Sequence, residues 1–178
     1  MANHRRQLKR INQVGHARYI TCSCYQKLAL LDHPKIRDAF VEQLKRTQDV
    51  FDFDLYAWVV MPNPFHLLLR PEDGKVTALL RRLKAPLAKR IITRWRELYA
   101  AILNRIADEK SQTKFWQTGG GYDRNITSNH ELLEKIDYIH ANPIRRGLVA
   151  RSIDWSWSSA KTHAGVETDG PRICHMDS

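Results

Sequence analysis

The sequence predicts an α+β fold of ferredoxin-like type, an antiparallel sheet with helices packed on one face. Three observations predict it. Strand-like and helix-like tracts are mixed without the regular alternation of a parallel sheet. Residues 51–69 read as two strands around the turn signal Met61-Pro62-Asn63-Pro64. Residues 76–103 and 128–142 carry apolar side chains at helical spacing.

Taken in order, residues 1–15 are basic and polar and read as a loose arm. Residues 16–25 alternate and are rich in β-formers, which predicts a first strand. Asp32-His33-Pro34 opens a helix, with Asp32 as the cap and Pro34 in the first turn. Its apolar face holds Ile36, Phe40, Val41 and Leu44. In the strand over 51–60, Phe53, Leu55, Ala57 and Val59 share one face, and Asp52, Asp54, Tyr56 and Trp58 the other. Phe65 to Leu69 form its partner. The helix from Val76 to Leu103 is expected to kink or restart at Pro86. Residues 108–114 are a polar loop, Phe115-Trp116-Gln117 a short strand, and Gly119-Gly120-Gly121 a flexible link. Ser128 and Glu131 form a capping box for the last long helix. Pro143 should end that helix near Asn142, with a short helix over 144–150. The main domain is then 16–160, and 161–178 a loose tail poor in apolar residues.

The chain has 178 residues, 43% of them hydrophobic, which suits one domain with a sizeable core. Lys and Arg total 29 against 19 Asp and Glu, a formal charge of +10. That charge favours a polyanionic partner through long-range attraction and counterion release. No apolar run approaches the roughly eighteen residues of a membrane helix, and residues 1–16 lack the apolar run of a signal peptide. The expected address is the cytoplasm, with no membrane partner. Three cysteines without a secretion signal argue against a disulfide framework. Cys22 and Cys24, alternate on a strand, read as small core residues and not as zinc ligands.

Two positions carry candidate chemistry. On the last long helix Leu132, Leu133, Ile136 and Ile139 form the apolar sector, while Tyr138 falls outside it between Glu134 and Asn142. Tyr138 is either a surface tyrosine or a displayed reactive phenol. His66 stands in an otherwise apolar strand, opposite Phe65 and Leu67, and is either a structural histidine or a metal ligand. His140, on the apolar sector, reads as a packed histidine.

Ala57 to Asn63 followed by Phe65 to Leu69 resembles the metal-binding strand of the HUH single-tyrosine transposases. Phe115-Trp116-Gln117, Gly121-Tyr122-Asp123-Arg124-Asn125 and Tyr138 to Val149 resemble the branch of REP-associated tyrosine transposases, as does Trp155-Ser156-Trp157-Ser158-Ser159. The resemblance covers residues 16–160. It implies that Tyr138 attacks a DNA phosphodiester to give a 5′-phosphotyrosine and a free 3′-hydroxyl in DNA transposition, a covalent exchange that conserves the bond for rejoining. It implies a Mg²⁺ or Mn²⁺ ion held by His66 and Asn142, which would polarise the phosphoryl oxygen. It also implies a partner in single-stranded DNA bearing hairpin or palindromic elements, and a monomer or homodimer. Arg81, Arg82, Lys84, Lys89, Arg90, Arg124, Arg145 and Arg146 are the candidate DNA contacts.

The sequence departs from the family at Pro64, which stands where the first of two metal-binding histidines is expected and offers no donor. This implies an ion site that is weak or absent, and impaired cleavage. The alternative is an inactive hairpin-binding protein derived from a transposase. An RNA-binding fold stacking bases on Tyr56 and Trp58 fits the motifs poorly.

Overall fold

The computed structural model describes residues 16–72, 75–119 and 121–175. Its sheet has four strands: β1 (Ala17–Cys22), β2 (Phe53–Val60), β3 (Phe65–Pro71) and β4 (Tyr122–Ile126). They lie in the order β2-β3-β1-β4, with every neighbouring pair antiparallel. Helix α1 (Pro34–Gln48) links β1 to β2, and α2 (Val76–Glu97) with the short α3 (Ile102–Arg105) links β3 to β4. This is the ferredoxin-like βαββαβ arrangement. Helices α4 (Asn129–Arg145) and α5 (Ala160–His163) follow it.

Period-two alternation divides the strand residues between two cores. Ile20, Cys22, Leu55, Trp58, Val60, Phe65, Leu67 and Leu69 meet α1 and α2 through Phe40, Leu44, Leu79, Leu83 and Leu87. Tyr19, Tyr56, Ala57, Val59 and Leu68 face the other way and are covered by Leu132, Ile136 and Ile139 of α4. The expectation of helices on one face therefore holds for α1 and α2, while α4 closes the opposite face. The expected grouping of Leu55 with Ala57 and Val59 fails because the β2–β3 register shifts between Leu55 and Ala57. A bulge there adds a residue and moves Leu55 to the first core.

Several element boundaries differ from expectation for local reasons. The α1 cap is His33, whose Nδ1 accepts from the Lys35 amide. Helix α2 runs unbroken through Pro86. Proline cannot donate to the carbonyl of Arg82 four residues back, and Gln43 Nε2 of α1 donates to it instead, at 2.9 Å. Helix α4 passes through Pro143 to Arg145, although this proline cannot donate to the Ile139 carbonyl four residues back. Gly147, at φ +67°, then closes it, with its N–H on the Ile144 carbonyl. No separate helix covers 144–150. At the other end Ser128 Oγ accepts from the Glu131 amide, and the Glu131 carboxylate accepts from the Thr127 amide.

Phe115-Trp116-Gln117 is not a strand. It makes a single bridge to Cys24, and the fourth strand is instead 122–126. Gly121 permits this: at φ +77°, a Cβ there would overlap the Thr21 carbonyl. The segment expected to be a loose tail is hydrogen-bonded to the fold as far as Cys174, whose N–H donates to the Leu55 carbonyl. With Val60 N–H to Trp157 O and Ser159 N–H to Trp58 O, residues 157–174 cover the open edge of β2. Arg37 stacks on Trp155 and Trp157 and fixes this segment against α1. Cys22 and Cys24 are buried in the first core as thiols outside any disulfide. The basic arm of residues 1–15 lies outside the described residues.

Candidate functional site

The polar site lies between α4 and the second face of the sheet. Strand register aligns Val59, His66, Thr21 and Tyr122 across β2, β3, β1 and β4. Tyr19 lies two residues from Thr21 on the same face of β1. Tyr19 Oη is 2.9 Å and Thr21 Oγ1 2.8 Å from His66 Nδ1, so two hydroxyls share that ring nitrogen. The Tyr19 ring also stacks on His66 at 5.7 Å. Burial, with the charge of Arg146 second, holds His66 down at about 4. It is a neutral imidazole at pH 7. Burial likewise pushes the Tyr19 phenol up to about 12.

Helix α4 brings Lys135, Tyr138, Asn142 and Arg145 down one stripe, at the three- and four-residue steps that align side chains. The half-buried Tyr138 ring stands edge-on to His66, with centroids 6.4 Å apart, and edge-on to Tyr19 at 6.0 Å. Arg145 lies 4.6 Å and Lys135 Nζ 5.3 Å from its centroid. Exposed Tyr122 borders the group, its ring 5.9 Å from that of Tyr19. The tyrosine and histidine singled out in the sequence are therefore neighbours in space.

Asn142 is buried, and its Nδ2 donates to the Tyr138 carbonyl at 2.8 Å. Buried Pro64 lies in the link just before β3. These donors make a poor fit to a divalent ion. Position 64 supplies none, which leaves Asn142 Oδ1 and one ring nitrogen of His66 as the side-chain donors there. His66 has committed Nδ1 to hydroxyls. No cluster of three or more His, Cys, Asp or Glu side chains suited to a metal occurs among the described residues.

The remaining expected DNA contacts divide by face. Arg81, Arg82, Lys84, Lys89 and Arg90 are on α2, beyond the first core and away from Tyr138. Arg90 pairs with Glu42 there, and Lys84 lies over Trp116. Arg124, on β4, pairs with Glu131 at 2.6 Å. Arg145 and Arg146 close α4 beside the tyrosine. His140 is buried against Ser159, its Nε2 2.8 Å from the hydroxyl. The cleft lined by Tyr56, Arg70, Ser128 and Leu132 sits at the start of α4 and includes neither Tyr138 nor His66. Sequence reasoning missed Tyr19, Thr21 and Lys135. The signals were available: Tyr19 and Thr21 alternate against Ile20 and Cys22, and Lys135 precedes Tyr138 by three helical residues.

The fold and site define a class: a ferredoxin-like domain whose added helix sets a tyrosine against a histidine on the second face of the sheet. No family profile matches the chain. A protein of Haemophilus influenzae named as a REP-associated tyrosine transposase is 25% identical over 122 residues, 67% of this chain and 66% of that one. The REP-associated tyrosine transposase of Escherichia coli K12 is 24% identical over 108 residues, 60% of this chain and 54% of that one. The matches thus span under two thirds of either relative. A solved REP-associated tyrosine transposase, bound to a REP hairpin, shares the fold at a TM-score of 0.65 and 19% identity. That likeness covers 98% of this chain and all of the other. In sequence and in fold the chain is thus similar to REP-associated tyrosine transposases.

Proposed function

We propose that this chain binds single-stranded DNA bearing a hairpin or palindrome, and that Tyr138 attacks one of its phosphodiesters. The observation that carries the reading is the 6.4 Å separation of the Tyr138 and His66 rings beside the basic end of α4. Phosphoryl transfer needs its groups nearly in contact. In the step, a bond forms between Tyr138 Oη and phosphorus as the P–O3′ bond breaks. The phenolic proton leaves to solvent and O3′ takes one up, so a 5′-phosphotyrosine and a 3′-hydroxyl result. Tyr19 is the rival phenol, and burial keeps it protonated.

His66 and Asn142 are the residues that would hold Mg²⁺ or Mn²⁺. With Pro64 beside them we propose that such binding is weak or absent and that cleavage is impaired. Pro64 also favours a second reading, an inactive hairpin-binding protein derived from a transposase. The hairpin bound by the solved relative supports the DNA partner in both readings.

Incubation with a labelled hairpin-bearing single strand, followed by a denaturing gel, separates them. The first reading expects a weak covalent adduct that Tyr138→Phe abolishes and that Pro64→His with Mn²⁺ strengthens. Wild-type activity equal to that of Pro64→His removes the claim of impairment. An adduct from Pro64→His but none from wild type leaves the binding protein.

A further inference from the structure

We infer that Lys135 and Arg145 clamp the reacting phosphate against Tyr138, so that attack does not depend on a divalent ion. The inference rests on Tyr138 being the nucleophile and deepens that reading.

Three observations meet here. The first is shortage of donors: Pro64 offers none, which leaves one imidazole nitrogen, His66 Nε2, and one amide oxygen, Asn142 Oδ1, for an ion.

The second is placement. Lys135 precedes Tyr138 by three residues and Arg145 follows it by seven, so the two cations bracket the phenol along one helical stripe. Lys135 Nζ lies 5.3 Å from the Tyr138 centroid and 5.6 Å from that of Tyr19. The Arg145 guanidinium lies 4.6 Å from the Tyr138 centroid. Both cations thus lie against the ring that carries the phenolic oxygen, and an ammonium with a planar guanidinium suits phosphate oxygens.

The third is that this charge is unspent. Many basic side chains of the surface are in ion pairs: Arg70 with Asp54, Arg90 with Glu42, Arg94 with Glu97, Arg124 with Glu131, Arg151 with Asp154. Among the described residues, no carboxylate pairs with Lys135, Arg145 or Arg146. Glu134 on the same helix faces His130 instead, at 3.5 Å. Preorganised cations aimed at developing charge can do electrostatically what an ion does by coordination. In this step they accept no proton and form no bond; they stabilise the non-bridging oxygens while Tyr138 Oη replaces O3′.

The test uses the full chain, a hairpin-bearing single strand, and buffer containing either EDTA or Mn²⁺. Four proteins are compared: wild type, the charge-neutral pair Lys135→Gln with Arg145→Gln, the charge-keeping pair Lys135→Arg with Arg145→Lys, and Arg151→Gln as a remote control. Adduct formation by wild type should be equal within about twofold in EDTA and in Mn²⁺. It should fall about 100-fold in the charge-neutral pair, the scale of losing oriented donors, and be largely kept by the charge-keeping pair and the control. A second readout needs no chemistry. In a Tyr138→Phe background the charge-neutral pair should flatten the slope of log affinity against log salt by about 1.4, at roughly 0.7 per charge on a single strand. An adduct that requires Mn²⁺ overturns the inference, as does a charge-neutral pair with wild-type affinity and salt slope. Absence of adduct in both buffers, with the slope change present, removes Tyr138 as nucleophile and the ion-independent attack with it, and leaves the clamp as a binding device.

Discussion

Leu67 and His66 are neighbours on β3, and they look into different worlds. Leu67 is fully buried among Phe40, Leu44 and Leu83, in a core closed by two helices of the ferredoxin-like unit. His66 is nearly as buried, yet its ring meets two hydroxyls and two tyrosines under a third long helix. On the first face, packing alone satisfies the side chains. On the second, order also depends on hydrogen bonds and ring geometry. The first face can be changed in shape only at a cost in folding. The second can be changed in chemistry while the first still holds the sheet together, so a residue without a side-chain donor, such as Pro64, can stand beside His66 within an intact fold.

The strongest way to break this comparison is to truncate each neighbour in turn. Leu67→Ala should cost about 3 kcal/mol, the usual penalty of a fully buried leucine with its cavity. His66→Gln should cost about 1 kcal/mol, because an amide retains a partner for Tyr19 or Thr21. Urea unfolding followed by circular dichroism measures both. Equal costs would mean that the second face is a stability core like the first.

What the sequence made legible follows the same division. The first face is written largely as alternation, so the two strands over 51–69 and the α1 face could be reasoned from apolar spacing, whereas the bulge between Leu55 and Ala57 leaves no mark in that spacing. The Tyr138–His66 pairing was reachable only through the resemblance, because no spacing rule joins residue 66 to residue 138. Strand β4 was missed since Tyr122-Asp123-Arg124-Asn125 is polar; its strand character comes from pairing with β1, where Arg18 meets Asp123 in a buried bidentate pair. The covered β2 edge was missed for a similar reason. The segment after Ala160 holds few apolar residues, and backbone groups and the His163 imidazole fasten it. Hydrogen bonding between distant segments leaves no periodic trace.

Acid offers the next test. Burial first, and the charge of Arg146 second, holds His66 at about 4; burial first, and His163 second, does the same to His140. Both sit below the unfolded value of about 6.5. Between about pH 6.5 and 4 the unfolded chain binds more protons than the folded one, so stability falls as pH falls through that window and levels off below it. Each histidine should contribute on the order of 2 kcal/mol to the loss. His66→Gln and His140→Gln should each flatten the dependence of urea midpoint on pH. A slope unchanged by both would show that the second face tolerates charge, contrary to the comparison.

A smaller effect is expected at the edge. The Ser159 hydroxyl accepts from the Trp58 amide at 3.0 Å and lies 2.8 Å from His140 Nε2, joining the β2 edge to α4. Ser159→Ala removes both partners at a buried point and should cost about 2 kcal/mol. Amide hydrogen exchange at Trp58 and Val60 should rise more than at Leu67 or Leu69. Uniform acceleration along the sheet would show that the covering segment belongs to the global unfolding unit and does not open by itself.

The finest distinction concerns what orders the second face, hydrogen bond or ring. Tyr19→Phe deletes the hydroxyl at 2.9 Å from His66 Nδ1 but keeps the ring that stacks on His66 and meets Tyr138 edge-on. Thr21 Oγ1, at 2.8 Å, remains as a partner for the same nitrogen. The ring nitrogen is therefore not stranded, and the cost should stay near 1 kcal/mol or less. Because Phe keeps the ring face toward Lys135, single-strand binding and its salt dependence should be unchanged. Tyr19→Leu, by contrast, keeps bulk but loses the flat surface, and should disturb the imidazole signals of His66 in the nuclear magnetic resonance spectrum far more than Tyr19→Phe does. The reverse ranking would make the shared hydroxyls, and not the aromatic packing, the element that holds His66 beside Tyr138.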